Sequence, residues 1–231
     1  YVVGLMQSFM LLEHMEGKKV LLCTGETFCR GNKEKQEPPY YRAPFGGDAA
    51  NITIVENGGQ DKICYEFHQD GTQRECLVIP DGAFRNPMTI EKIQNQIVRM
   101  PLTGVVMDGS TVFNFAQKEV PILVDNLTKM AETTKEDIDW FLFHQPNKFM
   151  LQKLAERIGV PFEKMPMDIV GKFGNSNSAT IPTAITADLK EEMLNKESLC
   201  CLAGFGAGVA WAGIIMKMGN MDFCDTIISD L

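Results

Sequence analysis

The sequence predicts an α/β protein built on a duplicated plan. Helical apolar stripes alternate with short apolar runs, the pattern of strands joined by helices. Residues 4–25 pass from an apolar helix through a polar break to an apolar strand and a glycine, and residues 183–204 repeat that order at similar spacing. The second copy directly follows GNSNSATIP (174–182), a run of small residues with no matching segment ahead of the first copy. With 231 residues, 45% of them hydrophobic, the chain can bury a large core as one domain or two small ones.

In chain order, residues 1–16 are apolar almost all round, which predicts a helix placed inside the protein. Gly17-Lys18-Lys19 stops it, and Val20 to Cys23 predicts a short buried strand. Residues 25–44 hold Pro38, Pro39 and Pro44 and predict a long loop. Strand character returns over Ala49–Glu56, and Gly58-Gly59 marks a boundary between units 1–58 and 59–231. Residues 61–80 predict paired strands around an Asp70-Gly71 turn. Residues 81–106 have no clear pattern.

Val112 to Glu132 predicts a helix with Val120, Leu123, Val124, Leu127 and Met130 on one face. Thr133 and Glu136 form a capping-box pattern. Trp140 to Phe143 predicts a buried strand that delivers His144. Pro146 suits the first turn of the next helix, whose stripe is Leu151, Leu154, Ala155 and Ile158 and whose end is Gly159. Residues 180–194 predict a further helix and Leu199–Leu202 a strand.

The net charge of −8 argues against general nucleic-acid binding. Seven cysteines without a CxxC pair read as buried, reduced thiols of a cytoplasmic protein, and no cluster has metal-ligand spacing. The start of the chain lacks the basic region and cleavage site of a signal peptide. Residues 199–216 carry no charge and are long enough for a membrane span. Gly204, Gly206, Gly208 and Gly213 favour two buried strands joined by a turn instead.

Six motifs then occur in one order: GETF (25–28), FGGDAAN (45–51), MDGSTVF (107–113), HQPN (144–147), GNSNSATIP (174–182) and GFGAGVAWAG (204–213). Together they resemble the ketoacyl synthase III branch of the thiolase superfamily. The resemblance implies a thiolase-like fold, αβαβα layers from two duplicated halves, with the first half incomplete here. It implies a homodimer that uses acyl-CoA and malonyl-acyl carrier protein, with coenzyme A thioester as substrate and no cofactor, metal, nucleic acid or membrane. Tyr1 matches the aromatic of the family's C-x-G-F/Y motif, so the nucleophilic cysteine is expected three residues before Tyr1. The 231-residue segment alone is then expected to be inert.

The implied reaction is a decarboxylating Claisen condensation that starts fatty acid synthesis. Its hard step puts negative charge on a thioester oxygen, which fixed neutral donors stabilise. His144 and Asn175 match the family's donor pair. Taken alone, His144 would be a hydrogen-bonded histidine at a strand end and Asn175 a turn residue. His14 and His68 lack such context. Asn147 matches a residue that holds water and substrate, although it also suits a helix cap. Gly206 and Ala207 match the oxyanion backbone. The family usually has glycine at position 207, so the role requires backbone angles that alanine accepts. Gly109 and Phe113 match the pantetheine tunnel, with a turn glycine and a core aromatic as the plain alternatives. Arg42 falls near a nucleotide-contacting arginine. Thr111 replaces the family's usual Glu, and Phe149 stands beside Lys148 where a basic carrier contact is common. A related acyltransferase of secondary metabolism, or a non-catalytic synthase-like subunit, are the competing expectations.

Overall fold

The structure is a computed structural model that describes residues 1–27, 46–59, 61–80, 84, 86, 87, 89–99 and 106–229. In order, the elements are α1 (Val2–Leu12), β1 (Lys19–Thr27), β2 (Asp48–Glu56), β3 (Cys64–Gln69), β4 (Leu77–Val78), α2 (Ile90–Arg99), β5 (Val106–Met107), α3 (Gly109–Met130), β6 (Trp140–Phe143), α4 (Lys148–Ile158), α5 (Ile169–Phe173), α6 (Thr180–Asp188), α7 (Lys190–Asn195), β7 (Glu197–Gly206) and β8 (Ala210–Gly219).

The central sheet has the order β3-β8-β7-β6, with β6 parallel to β7 and the other pairs antiparallel. β6 and β7 are buried on both faces, so their period-two alternation divides two cores rather than core from solvent. Phe141, Phe143, Cys201, Ala203 and Phe205 join α3 and α4 on one face. Leu142, Cys200, Leu202, Ala212 and Ile214 join α1, α6 and α7 on the other. Beyond α1 and α6 lies the two-stranded β1–β2 ribbon. The described residues thus stack as strand ribbon, helices, sheet and helices, four layers of a thiolase-like αβαβα arrangement.

Several expectations are met. The helix over 112–132 is α3, which starts earlier because the Asp108 carboxylate accepts from the Ser110 and Thr111 amides. The strand over 140–143 is β6. Gly159 ends α4 in the left-handed conformation, φ 82°. The apolar run over 199–216 is the β7–β8 pair, and among the described residues no helix is long and apolar enough to cross a membrane.

Others are corrected. Residues 61–80 do not pair around Asp70-Gly71. β3 pairs with β8 instead, and Asp70 caps a 3-10 turn over Gly71–Cys76. The Val20–Cys23 strand is longer than expected and only half buried, since β1 lies in a two-stranded ribbon. α1 stops at Leu12, and Met10, Leu11 and Met15 are exposed rather than interior. Pro146 lies ahead of α4, because Asn147 takes the capping position. Asp137, not Glu136, receives the Thr134 amide. The helix over 180–194 breaks at Leu189 into α6 and α7. The 28–44 part of the expected loop lies outside the described residues, as do Arg42 and Cys29.

Candidate active site

His144 follows the last residue of β6. Its amide donates to the Ala203 carbonyl at 2.8 Å, which extends the β6–β7 ladder by one residue and fixes where the ring begins. Gln145 is fully buried and locks the turn: its Nε2 donates to the Phe143 and Pro166 carbonyls, both at 2.9 Å. The glutamine of HQPN is therefore an anchor. This position, at the carboxyl end of a parallel strand, is where open α/β sheets bind ligands.

The ring is held by Thr180. Nδ1 of His144 lies 2.8 Å from Thr180 Oγ1, which also accepts the Gln145 amide at 3.2 Å. The same hydroxyl lies 2.9 Å from the Asn177 carbonyl. Burial first, and the Tyr1 ammonium after it, push the imidazole down to about 4, while the Asn177 carbonyl opposes the shift. The ring is thus neutral at physiological pH.

Asn175 is fixed from two sides. Its Oδ1 accepts the Asn177 amide at 2.9 Å. Its backbone pairs with Gly46, and its carbonyl accepts from the Gly47 amide at 3.1 Å. Two glycines make this crossing possible. A Cβ at Gly47 would meet the Phe173 carbonyl oxygen at 2.0 Å, and one at Gly174 would meet the Gly46 oxygen at 2.2 Å. Gly174 also has φ 74°. The FGGDAAN and GNSNSATIP motifs, far apart in sequence, therefore meet here. Because Oδ1 is occupied, the Asn175 amide NH2 is the end left to donate.

Both side chains line a cavity of about 650 Å³. Its wall is largely apolar, with Val112, Phe113, Met150 and Trp211 among the lining residues. Asn147, Gly109, Gly206 and Ala207 line it too, so the structure brings together the described residues matched to the family's site. Asn147 caps α4 through an Oδ1 bond to the Met150 amide at 2.8 Å, so the capping alternative holds while Nδ2 stays available. Phe113 stacks on exposed Phe149, 5.9 Å between ring centres. Gly109 opens α3, and a Cβ added there would meet nothing within 4 Å, so glycine is not sterically required. Ala207 has none of the left-handed backbone seen at Glu132, Asn177 and Asn220, so alanine is accommodated. No described cysteine lines the cavity, but Tyr1, Val2 and Val3 do. Cys200 and Cys201 are buried thiols, the former pushed up to about 12 by burial.

The layered sheet, the glycine crossing and a histidine–asparagine pair facing one apolar cavity define a thiolase-like protein. Residues 128–218 match the family model described as 3-oxoacyl-(acyl-carrier-protein) synthase III C terminal. A beta-ketoacyl-(acyl-carrier-protein) synthase III of a Synechocystis species is 31% identical over 94% of this chain and 64% of its own length. One from Natranaerobius thermophilus is 32% identical over 74% of this chain and 51% of its own length. The crystal structure of a 3-oxoacyl-(acyl-carrier-protein) synthase from Burkholderia xenovorans superposes with TM-score 0.85 at 32% identity, covering 99% of this chain and 64% of that one. By these matches the chain is similar to the 3-oxoacyl-(acyl-carrier-protein) synthase III family, and it spans under two thirds of the length of these relatives.

Proposed function

We propose that this chain supplies the decarboxylation half of a ketoacyl synthase III active site. The observation that carries the reading is that two neutral side chains, His144 in contact with the Thr180 hydroxyl and Asn175 held by the Asn177 amide, line one apolar cavity. When the malonyl C–CO2 bond breaks, CO2 leaves and the electron pair becomes an enolate on the thioester oxygen. His144 Nε2–H and Asn175 Nδ2–H stabilise that oxygen without adding a counter-charge. The enolate carbon then attacks the acyl-enzyme carbonyl, whose oxyanion is held by the Gly206–Ala207 backbone, and the enzyme thiolate leaves.

The acyl-carrying thiol is sought at the head of α1, where Tyr1 to Val3 enter the cavity. Free amides and the helix dipole there favour a thiolate. Val112 and Phe113 supply an apolar wall for a pantetheine arm, and Asn147 Nδ2 a polar contact. Acyl-CoA as donor, malonyl-acyl carrier protein as acceptor, a homodimer and a cytoplasmic setting belong to the same reading, which calls for no cofactor. The synthase activity for which its relatives are named supports it.

The test is His144→Ala in the encoded protein. Malonyl decarboxylation is expected to fall by about 10²–10³, the usual cost of one oxyanion donor. Cysteine acylation by acyl-CoA, read by intact mass, is expected to persist. Unchanged condensation would overturn the reading.

A further inference from the structure

We propose that Glu26 and Asn177 form a positioning pair that keeps the two donors aligned; the proposal rests on the reading of His144 and Asn175 given above. Asn177 follows Asn175 by two residues and has left-handed backbone, φ 47°. Asparagine tolerates that region better than most residues, but it still costs free energy. Three of its polar groups make contacts around the site. Its amide holds Asn175 Oδ1 at 2.9 Å, which leaves the Asn175 NH2 as the free end. Its carbonyl lies 2.9 Å from the Thr180 hydroxyl that contacts the His144 ring. Its side-chain Nδ2 donates to Glu26 Oε2 at 2.9 Å, a contact spanning 151 residues of sequence.

Glu26 is itself restrained. It lies on β1, and its other oxygen accepts the Thr27 amide at 3.1 Å. The carboxylate therefore reaches from the β1–β2 ribbon to the turn carrying the catalytic amide and fixes that turn's side-chain end. Without it, the Asn177 peptide can rotate away from left-handed backbone. The Asn175 amide then loses the bond that orients it, and Thr180 loses one of its partners. Glu26 and Asn177 make no claim on the reacting atoms; Glu26 does not line the cavity. A charge-assisted bond of this kind is roughly twice as strong as a neutral one.

The experiment uses the encoded protein and malonyl-acyl carrier protein, with CO2 release as readout. Asn177→Asp sets two carboxylates against each other. The kcat is expected to fall about tenfold or more, as for a small misplacement of a positioned group, with KM changed less than about twofold. Glu26→Gln combined with Asn177→Asp restores the bond with donor and acceptor exchanged, and is expected to recover kcat to within about threefold of the parent. Asn177→Gly keeps the backbone preference and removes only the Glu26 bond, so it serves even where the aspartate variant fails to fold. It too should lower kcat. Parent-like kcat in Asn177→Gly, or a double variant no better than Asn177→Asp, overturns the proposal. His144→Ala is run in parallel. If it abolishes decarboxylation while the pair variants do not, only the pair fails; if it has no effect, the site reading fails and the pair with it.

Discussion

The Thr180 hydroxyl stands 2.8 Å from Nδ1 of His144 and 2.9 Å from the Asn177 carbonyl, with one hydrogen to give. If it points at Nδ1, the ring carries its proton on Nε2 and can donate to a thioester oxygen. If it points at Asn177, Nδ1 must donate and Nε2 becomes an acceptor, which would repel an enolate. The proposed chemistry needs the first arrangement.

Thr180→Val should therefore lower decarboxylation by about 10²-fold, close to the loss of one donor, because the methyl cannot set the tautomer. Thr180→Ser should keep most of the rate. Steady-state CO2 release from the two variants checks this. Equal rates would remove Thr180 from the mechanism.

The pH dependence of stability follows from the burial of His144. Its folded-state value is about 4, below the ordinary 6.5, so the unfolded chain binds the proton more readily. The contribution is complete above pH 6.5 and is lost as pH falls from there toward 4, at up to about 1.4 kcal/mol per unit. Urea midpoints at pH 7, 5.5 and 4.5 should fall more steeply for the parent than for His144→Gln. Parallel slopes would contradict this origin.

Gly47→Ala tests the backbone crossing. The added methyl would lie 2.0 Å from the Phe173 oxygen, and the obstacle is backbone rather than a flexible side chain. Overpacking of this kind costs about 1–3 kcal/mol, and the two crossing backbone segments must separate to relieve it. A lower thermal midpoint and a loss of decarboxylation larger than that loss of stability explains are expected. Gly109→Ala, where nothing lies near, is the matched control and should cost far less.

Asn147→Ala separates two roles of one side chain. Loss of the Oδ1 bond to the Met150 amide should cost about 1 kcal/mol of stability. Asn147→Asp keeps the cap and removes the Nδ2 donor. If the cavity-facing amide binds substrate, the aspartate variant should keep its thermal midpoint yet raise KM. An unchanged KM would leave Asn147 as a cap alone.

The parts of this architecture that are local in sequence were legible in it. Trp140–Phe143 is an unbroken apolar run, so the strand and the histidine at its end could be read directly. Asn175 stood out because the Gly-Asn pair opens a run of small residues. What could not be read depends on distant partners. Asp70-Gly71 has hairpin chemistry, but β3 finds β8, so the turn residues cap a 3-10 segment instead. Glu26 stands in the GETF motif, but its partner shows only when β1 brings it to Asn177. Thr180 acquires its role only because the chain turns back through left-handed backbone at Asn177. The capping asparagine was ambiguous because one residue type serves both purposes.

The glycine crossing has a consequence for how the protein should fail under stress. Gly46 and Gly47 lead into β2, and the β1–β2 ribbon pairs with no other strand among the described residues. In the 231-residue segment this ribbon is the natural unit for local opening, while the four-stranded sheet keeps its two cores. Opening would release the Asn175 backbone and the Glu26 contact together, leaving the sheet spectroscopically folded. Amide exchange in β1 and β2 should thus run ahead of exchange in β6 and β7.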